Sequence, residues 1–521
     1  MESNRRYDAV VIGSGLGGLT AAALLGKSGN RVCVVERNRS FGGAASCYRV
    51  GGLTIEASLH ETADPRDPRD LKHAILERLG LLDKIEWLPV PDLHTVVGGP
   101  VGAPLVLPHG FDPAANALAD RFPVHAAGIR RVLSRMSGIY DTLGELAAAG
   151  DRRSLGALLR LTPGLAPILR DWRMSLAQAF ARDLGDCEGA KCTLASNLPY
   201  YDDDPRRTWW IFFAVAQGGY LGSGGVYVRG GSTRLSRSLA KVVKEQGGEI
   251  LLGRKAVRIE LGPDGRPNCV HHVGQEGQDT DRIETRVVLA NCSPYAVGNL
   301  IPLARQQGFL NHYRGLQPSI SLFSAHFGLN KPPERFGLRG YSTILLPDWM
   351  TRLDDYAQAS MLLGALPTGR MPPLTVVNYG AVDAKLDATE TTLVSVVGVD
   401  RVAHWDGLDR RQDLERRSAW MDAILQTLES HYPGFSGAVT GKVFISARSI
   451  QDYLGTPAGA VYGFAPTPPE RYAGRGFRRS PQTPVPGLFL ASSFAGCGGF
   501  TGAMGAGASA ALLAEKDLKK V

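Results

Sequence analysis

The chain has 521 residues, of which 44% are hydrophobic and 21% are charged, and this is enough apolar material for the cores of two or three compact units. The formal net charge of +8 is of the kind that attracts nucleic acid or an anionic membrane surface. Acidic residues are mixed with the basic ones and no nucleic-acid-binding motif is present, so a nucleic-acid partner is excluded. The charge then predicts either a weak peripheral contact with lipid head groups or a solvated surface.

Targeting signals and cysteine spacing give further expectations. The first residues, MESNRRYDA, lack the apolar stretch of an export signal, and no apolar run reaches the roughly 18 residues that span a bilayer. We therefore expect a cytoplasmic protein, soluble or peripherally bound to a membrane. The seven cysteines, an odd number, predict reduced thiols. Cys187 and Cys192 form a close pair without a second pair of ligands beside them, so no metal site is predicted.

The clearest motif lies at residues 7–36, YDAVVIGSGLGGLTAAALLGKSGNRVCVVE. Apolar strands on both sides of a glycine turn and a helix predict a dinucleotide-binding βαβ unit. Gly13 and Gly15 allow a tight turn that brings the backbone close to a pyrophosphate, and Gly18 lets the helix pack against the strand. Glu36, at the end of the second strand, is placed to accept a hydrogen bond from a ribose hydroxyl.

A second glycine motif follows this unit directly. Gly42 and Gly43, in RNRSFGGAAS, resemble the second glycine signature of flavoproteins, which favours FAD over a nicotinamide nucleotide. Arg37 is a further candidate contact for the cofactor. A basic residue after the ribose-binding acid is equally normal in FAD proteins, so Arg37 does not predict NADP.

Residues 485–514 predict a third nucleotide-binding piece near the carboxyl end. They read as an apolar strand, a glycine-rich turn and a helix of small residues. Such a turn directs backbone N–H groups at phosphate or at the carbonyl groups of a flavin ring, which makes Gly498, Gly499 and Thr501 candidate contacts. The alternative is a terminal helix whose alanines and glycines serve close packing only.

The middle of the chain supplies the rest of a flavin domain. Residues 224–261 read as a glycine turn, a helix, a break and a strand, and residues 286–294 add a buried strand. Val257, within the first of these strands, is a further candidate cofactor contact. The predicted division is FAD-binding parts at 1–95, 224–300 and 476–521, a helical lid or first substrate part at 96–223, and a second substrate part at 301–475.

The two substrate segments differ in character. In the first, apolar residues from 129 to 143 recur every three or four positions, shorter helices are expected near 154–161 and 175–184, and an aromatic run follows at 209–216. This pattern by itself fits an ordinary helical core. In the second, residues 319–330 and 391–400 read as strands, 414–431 as a helix and 466–487 as a proline-rich loop.

The order of these motifs resembles the phytoene desaturase, carotenoid isomerase and retinol saturase family of FAD proteins over nearly the whole chain. The resemblance implies an α/β fold of flavin amine oxidase-like topology, with a Rossmann-like FAD-binding domain, an interleaved substrate domain and a helical lid. It also implies FAD as the cofactor. The implied activity is an FAD-dependent oxidoreductase acting on a carotenoid, retinoid or other polyunsaturated lipid by saturation, desaturation or cis/trans isomerisation.

One segment, LTIEASLH at residues 53–60, resembles a retinol saturase pattern more closely. Glu56 stands where that pattern has Asp, Ser58 where it has Gly, and His60 at its histidine. Tyr462, in a strand-like segment that leads back to the flavin domain, is a candidate wall residue of a substrate tunnel, as is Phe464. His60, Glu56 and Tyr462 are the candidate proton-handling groups.

Two other functions remain open at this point. An amine-oxidase-type flavoenzyme has the same flavin segments, although the long helical insertion argues against it. Rab escort and GDP-dissociation-inhibitor proteins resemble this fold and carry lipids without flavin chemistry, but such carriers do not require both terminal glycine motifs. The oligomeric state is not predicted by the sequence.

Overall fold

The computed structural model describes residues 5–58, 60–149, 155–274, 277, 280–386, 391–469 and 479–520. Two seven-stranded sheets organise these residues, and helices pack against both of them. The first sheet, numbered with all strands in chain order, contains β1 (Arg5–Ile12), β2 (Val32–Val35), β10 (Glu249–Leu251), β11 (Arg254–Leu261), β12 (Pro267–Gly274), β13 (Thr280–Ala290) and β19 (Leu488–Leu490).

The first sheet has a parallel centre. Its order is β10-β2-β1-β13-β12-β11, and β19 pairs with the end of β13. Neighbours among β10, β2, β1 and β13 run parallel, as do β13 and β19, whereas β11, β12 and β13 form an antiparallel meander. Strands from the beginning, the middle and the end of the chain therefore lie side by side.

Helices cover both faces of this sheet, and for this reason its central strands are apolar on both sides. The helices are α1 (Leu16–Lys27), α2 (Leu71–Leu79), α9 (Ser232–Glu245), α10 (Pro294–Gly298), α11 (Leu303–Asn311) and α15 (Gly499–Leu518). One core contains Leu19 of α1, Leu239 of α9 and Ala510 of α15, and a second core contains Val297 of α10 and Phe309 of α11.

The second sheet is mainly antiparallel. It contains β7 (His94–Gly98), β8 (Gly102–Leu107), β14 (Ser321–Leu329), β15 (Ser342–Leu346), β16 (Leu374–Asn378), β17 (Thr392–Asp400) and β18 (Val439–Ile445). The order is β18-β14-β17-β16-β15-β7-β8, and β15 runs parallel to β7. Trp420, Ile424 and Leu428 of α13 pack into its core. The helices that accompany it are α12 (Asp355–Ala359), α13 (Arg410–His431) and α14 (Ala447–Leu454).

A helical segment separates β8 from the middle strands of the first sheet. It contains α3 (Phe111–Arg121), α4 (Ala126–Ala149), α5 (Leu155–Arg170), α6 (Leu176–Leu184), α7 (Glu188–Leu194) and α8 (Trp210–Ser223). Ile129, Leu133 and Met136 of α4 are buried in one core with Trp210 and Phe213 of α8. No helix in the described part of the chain has both the length and the apolarity that crossing a bilayer requires.

Two small sheets connect these parts. The hairpin strands are β3 (Cys47–Val50) and β4 (Leu53–Glu56), and the three-stranded sheet, in the order β5-β9-β6, contains β5 (Thr62–Ala63), β6 (Trp87–Pro89) and β9 (Gly225–Val228). The short sheet joins residues that are more than 130 positions apart, since Thr62 pairs with Val226 and Trp87 with Val228. It therefore joins the part of the chain that precedes the helical segment to the part that follows it.

The longer elements lie where their sequence patterns place them. The apolar repeat over 129–143 falls within α4, and the strands expected at 319–330 and 391–400 are β14 and β17. The helix expected at 414–431 begins four residues earlier, at Arg410, because Asp409 and Gln412 form a capping box there. In the expected loop at 466–487, residues 470–478 lie outside the described residues.

Candidate functional site

A cavity of about 1430 Å³ extends from the carboxyl ends of β1 and β2 into the space between the first sheet, the second sheet and the helical segment. Ligands of open α/β sheets bind at this end of the strands. Of the predicted cofactor contacts, the following line the cavity: Gly13, Gly15, Glu36, Arg37, Gly42, Gly43, Val257, Gly498, Gly499 and Thr501. Gly18 is the exception, because it lies inside the contact between α1 and the turn that follows β1.

Gly18 serves packing. A β-carbon added there would lie 2.1 Å from the carbonyl oxygen of Gly13, so no other residue fits without moving the turn. Gly17, which the sequence reasoning did not single out, is restricted in the same way: its added β-carbon would lie 1.9 Å from the oxygen of Ala491. These contacts bring the glycine turn, α1 and the end of β19 together.

Glu36 directly follows β2, and hydrogen bonds hold its carboxylate in place. Oε2 accepts from the backbone N–H of Ser14 at 2.8 Å and from the Ser14 hydroxyl at 2.7 Å, and Oε1 accepts from the N–H of Asn38 at 2.8 Å. The side chain is only 6% exposed and what is accessible faces the cavity. A fixed carboxylate at this position is suited to accept hydrogen bonds from ribose hydroxyls.

The second glycine motif packs directly on the first. Gly42 donates its N–H to the carbonyl of Ser14 at 2.9 Å, and an added β-carbon on Gly43 would lie 3.3 Å from the α-carbon of Gly15. Both Gly42 and Gly43 have positive φ, at 113° and 58°, which side chains disfavour. The two motifs thus form one cradle of backbone that lines the cavity.

Asn291, at the end of β13, supports this cradle and was missed by the sequence reasoning. With its amide oriented to match its neighbours, it accepts from the N–H of Gly15 at 2.9 Å and donates to the carbonyl of Ala491 at 3.0 Å. It connects the amino-terminal turn to the carboxyl-terminal segment. The signal was a polar side chain directly after the buried strand VVLA.

The carboxyl-terminal turn forms the opposite wall. A β-carbon on Gly498 would lie 2.1 Å from Cδ1 of Tyr462, so the turn and this aromatic ring are in contact. Thr501, in the first turn of α15, accepts a hydrogen bond at 2.5 Å from the ammonium group of Lys72, which also contacts Asp70 at 2.8 Å. Lys72 is fully buried, and its role was not apparent from the sequence.

Arg37 and Val257 lie at the rim of the cofactor end. The Arg37 guanidinium donates to the backbone carbonyl of Tyr453, within α14. Val257 is 38% exposed and lies at an irregularity in the pairing of β11 with β12, between Ala256 and Arg258. Both residues line the cavity, but their contact with a cofactor stays a prediction.

His60 lies farther along the cavity, after Leu59, which lies outside the described residues. Its Nδ1 and the hydroxyl of Tyr200 share a hydrogen bond of 2.8 Å, and its backbone carbonyl accepts from the hydroxyl of Tyr341. Burial lowers the pKa of His60 to about 4, so the imidazole is neutral at neutral pH.

Glu56 and Tyr462 have different surroundings. The Glu56 carboxyl accepts from the backbone N–H of Ser232 at 2.8 Å, the Ser232 hydroxyl at 2.5 Å and the Tyr227 hydroxyl at 3.0 Å. It therefore holds the amino end of α9, and its oxygens are occupied. Tyr462 presents its ring to the cavity, and burial raises the pKa of its hydroxyl. Phe464 packs instead in a core with Phe494.

Aromatic side chains dominate the end of the cavity that is remote from Glu36. Tyr201 packs edge-on against Phe212, with ring centroids 5.6 Å apart, and against Tyr462 at 6.0 Å, while Trp172 meets Trp209 at 5.0 Å. These residues line a wall that offers flat apolar surface and few polar groups. Such a wall suits a long conjugated or aliphatic ligand.

The arrangement fits FAD at one end of the cavity. Two glycine turns bring bare backbone to the cavity at the start of α1, Glu36 supplies a fixed acceptor, and the first turn of α15 adds N–H groups on the other side. The fold and this cradle define a flavoprotein whose cofactor-binding sheet is assembled from separate chain segments.

Comparisons with known proteins identify the family. Residues 16–513 match the model of the flavin-containing amine oxidoreductases, and the chain therefore belongs to that family. All-trans-retinol 13,14-reductase of Rattus norvegicus is 24% identical over 93% of this chain and 82% of its own length. Prolycopene isomerase 1 of an Oncidium hybrid cultivar is 24% identical over 89% of this chain and 76% of its own.

A solved structure shows the same fold. Cyclohexylamine oxidase from Brevibacterium oxydans superposes with a TM-score of 0.60 at 18% identity, covering 98% of this chain and 99% of that one. The predicted fold class, the FAD cofactor and the assignment as an FAD-dependent oxidoreductase are thereby confirmed.

Proposed function

We propose that this flavoenzyme acts on a carotenoid, retinoid or other polyunsaturated lipid, by saturation, desaturation or cis/trans isomerisation of its double bonds. The observation that carries the proposal is the continuity of the cavity, which joins the glycine cradle to an aromatic compartment lined by Tyr201, Phe212 and Trp209. The names of two relatives, a retinol reductase and a prolycopene isomerase, support the same substrate class.

Bound FAD supplies hydride and electron-pair exchange with carbon, and the protein positions the substrate and excludes water. Glu36, Gly15 and Gly43 would hold the adenosine and pyrophosphate end, and Thr501 the opposite side. The aromatic wall would orient the chain of double bonds by packing against it. The hydrogen bond between Nδ1 of the neutral His60 and the Tyr200 Oη makes these two side chains the candidate proton-handling pair in the cavity.

The first test uses purified holoenzyme that shows the oxidised flavin band near roughly 450 nm. Under anaerobic conditions the enzyme, oxidised or chemically reduced, is mixed with all-trans-retinol, a cis-carotenoid and a fully conjugated carotenoid. We expect a shift of the polyene spectrum with at least one of them, and product analysis then assigns the direction. Amines are tested in parallel in air-saturated buffer, because peroxide forms only when oxygen reoxidises the flavin. Rapid peroxide formation with an amine and no change in any polyene would contradict the proposal.

A second test concerns the proton pair. Tyr200→Phe removes only the hydroxyl that meets His60, so we expect polyene turnover to fall at least tenfold with unchanged flavin content. Tyr295→Phe is the matched control, because its hydroxyl donates to the carbonyl of Leu316 outside the cavity. Equal turnover in the two variants would remove His60 and Tyr200 from the proposed chemistry.

A further inference from the structure

Glu61, next to His60, places a carboxyl group in the wall of the cavity without a partner. Its Oε2 is buried, and no hydrogen-bond donor or acceptor among the described residues reaches it. The side chain lies against Gly225 of β9, where an added β-carbon would come within 2.8 Å of Oε2. A residue with a side chain at position 225 would thus push the carboxyl out of its place.

Neighbouring polar groups are engaged elsewhere. The two ring nitrogens of His109 face the backbone carbonyls of Tyr220 and Val90, at 3.1 and 3.0 Å. His60 is bonded to Tyr200 through Nδ1, and the Tyr220 hydroxyl donates to the backbone carbonyl of Glu61 at 3.4 Å rather than to its carboxyl. The hydroxyls of Tyr200, Tyr201, Tyr220 and Tyr341 are the nearby titratable groups.

Glu61 also lacks a balancing cation: no lysine or arginine in the described ranges forms an ion pair with it. Burial alone raises the pKa of Glu61 to about 8, so at neutral pH it is mostly a carboxylic acid. In that form one oxygen donates a hydrogen bond and the other accepts one. An unpaired group of this kind, in an otherwise aromatic compartment, is unfavourable unless a ligand satisfies it.

We propose that Glu61 binds an oxygen atom of the substrate, so that the cavity selects an oxygen-bearing polyene, an alcohol or aldehyde, over the hydrocarbon of the same length. The inference rests on the proposed function and narrows its substrate class. A ligand hydroxyl would form a hydrogen bond with the part of the Glu61 carboxyl that the cavity reaches, whereas a hydrocarbon displaces water and leaves the whole carboxyl without a partner. Sites built to bond a polar group reject analogues that lack it far more strongly than they discriminate by size.

The experiment measures binding to the FAD-loaded protein at pH 7, without turnover, by quenching of tryptophan fluorescence. The probes are all-trans-retinol and the analogue that carries a methyl group in place of its CH2OH. Trp172 and Trp209 line the cavity and report occupancy. We expect the wild-type protein to bind the alcohol at least tenfold more tightly than the hydrocarbon, and equal affinities would overturn the role of Glu61.

Two variants test whether Glu61 causes the preference for the alcohol. Glu61→Gln keeps a donor and an acceptor in nearly the same shape and should retain most of the preference for the alcohol. Glu61→Leu removes both and should abolish the preference, chiefly by weakening the alcohol. Retention of the full preference by Glu61→Leu would overturn the proposal, and the comparison of probes on the wild-type protein decides it even if that variant fails to fold.

The outcomes also separate this inference from the proposed function. Binding of both polyenes with equal affinity leaves a polyene enzyme and removes only the oxygen contact. Binding of neither polyene contradicts both proposals. Retinylamine is a third probe: an amine bound more tightly than the alcohol would mean that Glu61 acts as a carboxylate toward a cation, which also overturns the inference.

Discussion

Single glycines decide whether the nucleotide turn can form. Gly18 lies in a helix, yet an added β-carbon would approach the Gly13 carbonyl to 2.1 Å. We expect Gly18→Ala to lower the free energy of unfolding by about 1–3 kcal/mol or more, because backbone on both sides must move. The variant should also bind less FAD per chain, measured as the ratio of flavin to protein absorbance.

The matched control is Gly308→Ala, also in a helix, where nothing lies within 4 Å of the added β-carbon. At that position alanine should raise the free energy of unfolding by up to about 1 kcal/mol, because alanine has a higher helix propensity than glycine. If Gly18→Ala kept wild-type flavin content and melting temperature, the close approach of α1 to the Gly13 turn would not be needed for the site.

Buried histidines make the protein sensitive to acid. Burial lowers the pKa of His60 and His94 to about 4 and that of His326 to about 3. In the unfolded chain a histidine has a pKa near 6.5. Below that pH the unfolded chain binds protons that the native protein does not, so the free energy of unfolding decreases as the pH falls from 6.5 toward 4. Each histidine accounts for about 2 kcal/mol between pH 6.5 and 5.

His326→Asn isolates one of these contributions. The raised pKa of Glu61 has the opposite effect, because its contribution to the free energy of unfolding is lost as the pH rises from about 4.5 to 8. The pH dependence of the wild-type stability therefore contains contributions of both signs. The difference in free energy of unfolding between wild type and His326→Asn, from urea denaturation, should shrink by about 2 kcal/mol from pH 7 to 5. A constant difference would mean that His326 titrates normally in the native state.

At the scale of one element, α9 depends on a side chain from far away in the sequence. Its amino end has no side-chain cap of its own, and Glu56 of β4 accepts from both the N–H and the hydroxyl of Ser232. Glu56→Gln exchanges one acceptor oxygen for a donor facing these donors. We expect a loss of about 1–3 kcal/mol in the free energy of unfolding, measured by denaturation.

This variant also separates two roles for Glu56. A structural role predicts a lower melting temperature, with turnover per folded, flavin-loaded chain largely preserved. A proton-handling role predicts lower turnover with a melting temperature close to that of the wild type. Glu77→Gln, on the exposed side of α2, should change neither quantity and serves as the control.

Elements differed in how far the sequence could predict them. The apolar repeat of α4 and the capping box of α13 are patterns of neighbouring residues, so the sequence predicts both helices. The two-residue strand β5 and the three-residue strand β6 carry too few side chains for any periodicity, and they exist because β9 pairs with them. The parallel pairing of β15 with β7 likewise joins residues about 250 positions apart, for which no local pattern exists.

At the scale of the whole molecule, the cofactor site joins segments that are distant in the chain. Asn291 connects the Gly15 turn to Ala491, and Lys72 connects α2 to Thr501. Because FAD binds only the assembled arrangement, it should stabilise the native state by about 4 kcal/mol at a thousandfold excess over its dissociation constant. Removing FAD should therefore lower the melting temperature by several degrees.

Asn291→Leu tests whether the hydrogen bonds of Asn291 to Gly15 and Ala491 contribute to FAD binding. The variant keeps the volume but removes the acceptor for Gly15 and the donor to Ala491, so both the FAD affinity and the FAD-dependent rise in melting temperature should decrease. Asn311→Leu, on an exposed position of α11, is the control and should behave as the wild type. Identical FAD-dependent shifts in the two variants would contradict the assignment of Asn291 to the cradle.

The sequence by itself determined the cofactor: the turn with Gly13 and Gly15, the acid Glu36 and the tail glycines are local motifs whose backbone conformation depends on adjacent residues. Only the tertiary structure decided which side chains face the substrate. Glu56 and Glu61 are five residues apart and chemically alike, yet one is saturated with hydrogen bonds from α9 and the other is left unpaired in the cavity. Their surroundings come from β9, α8 and α9, and a local pattern does not contain contacts across such distances.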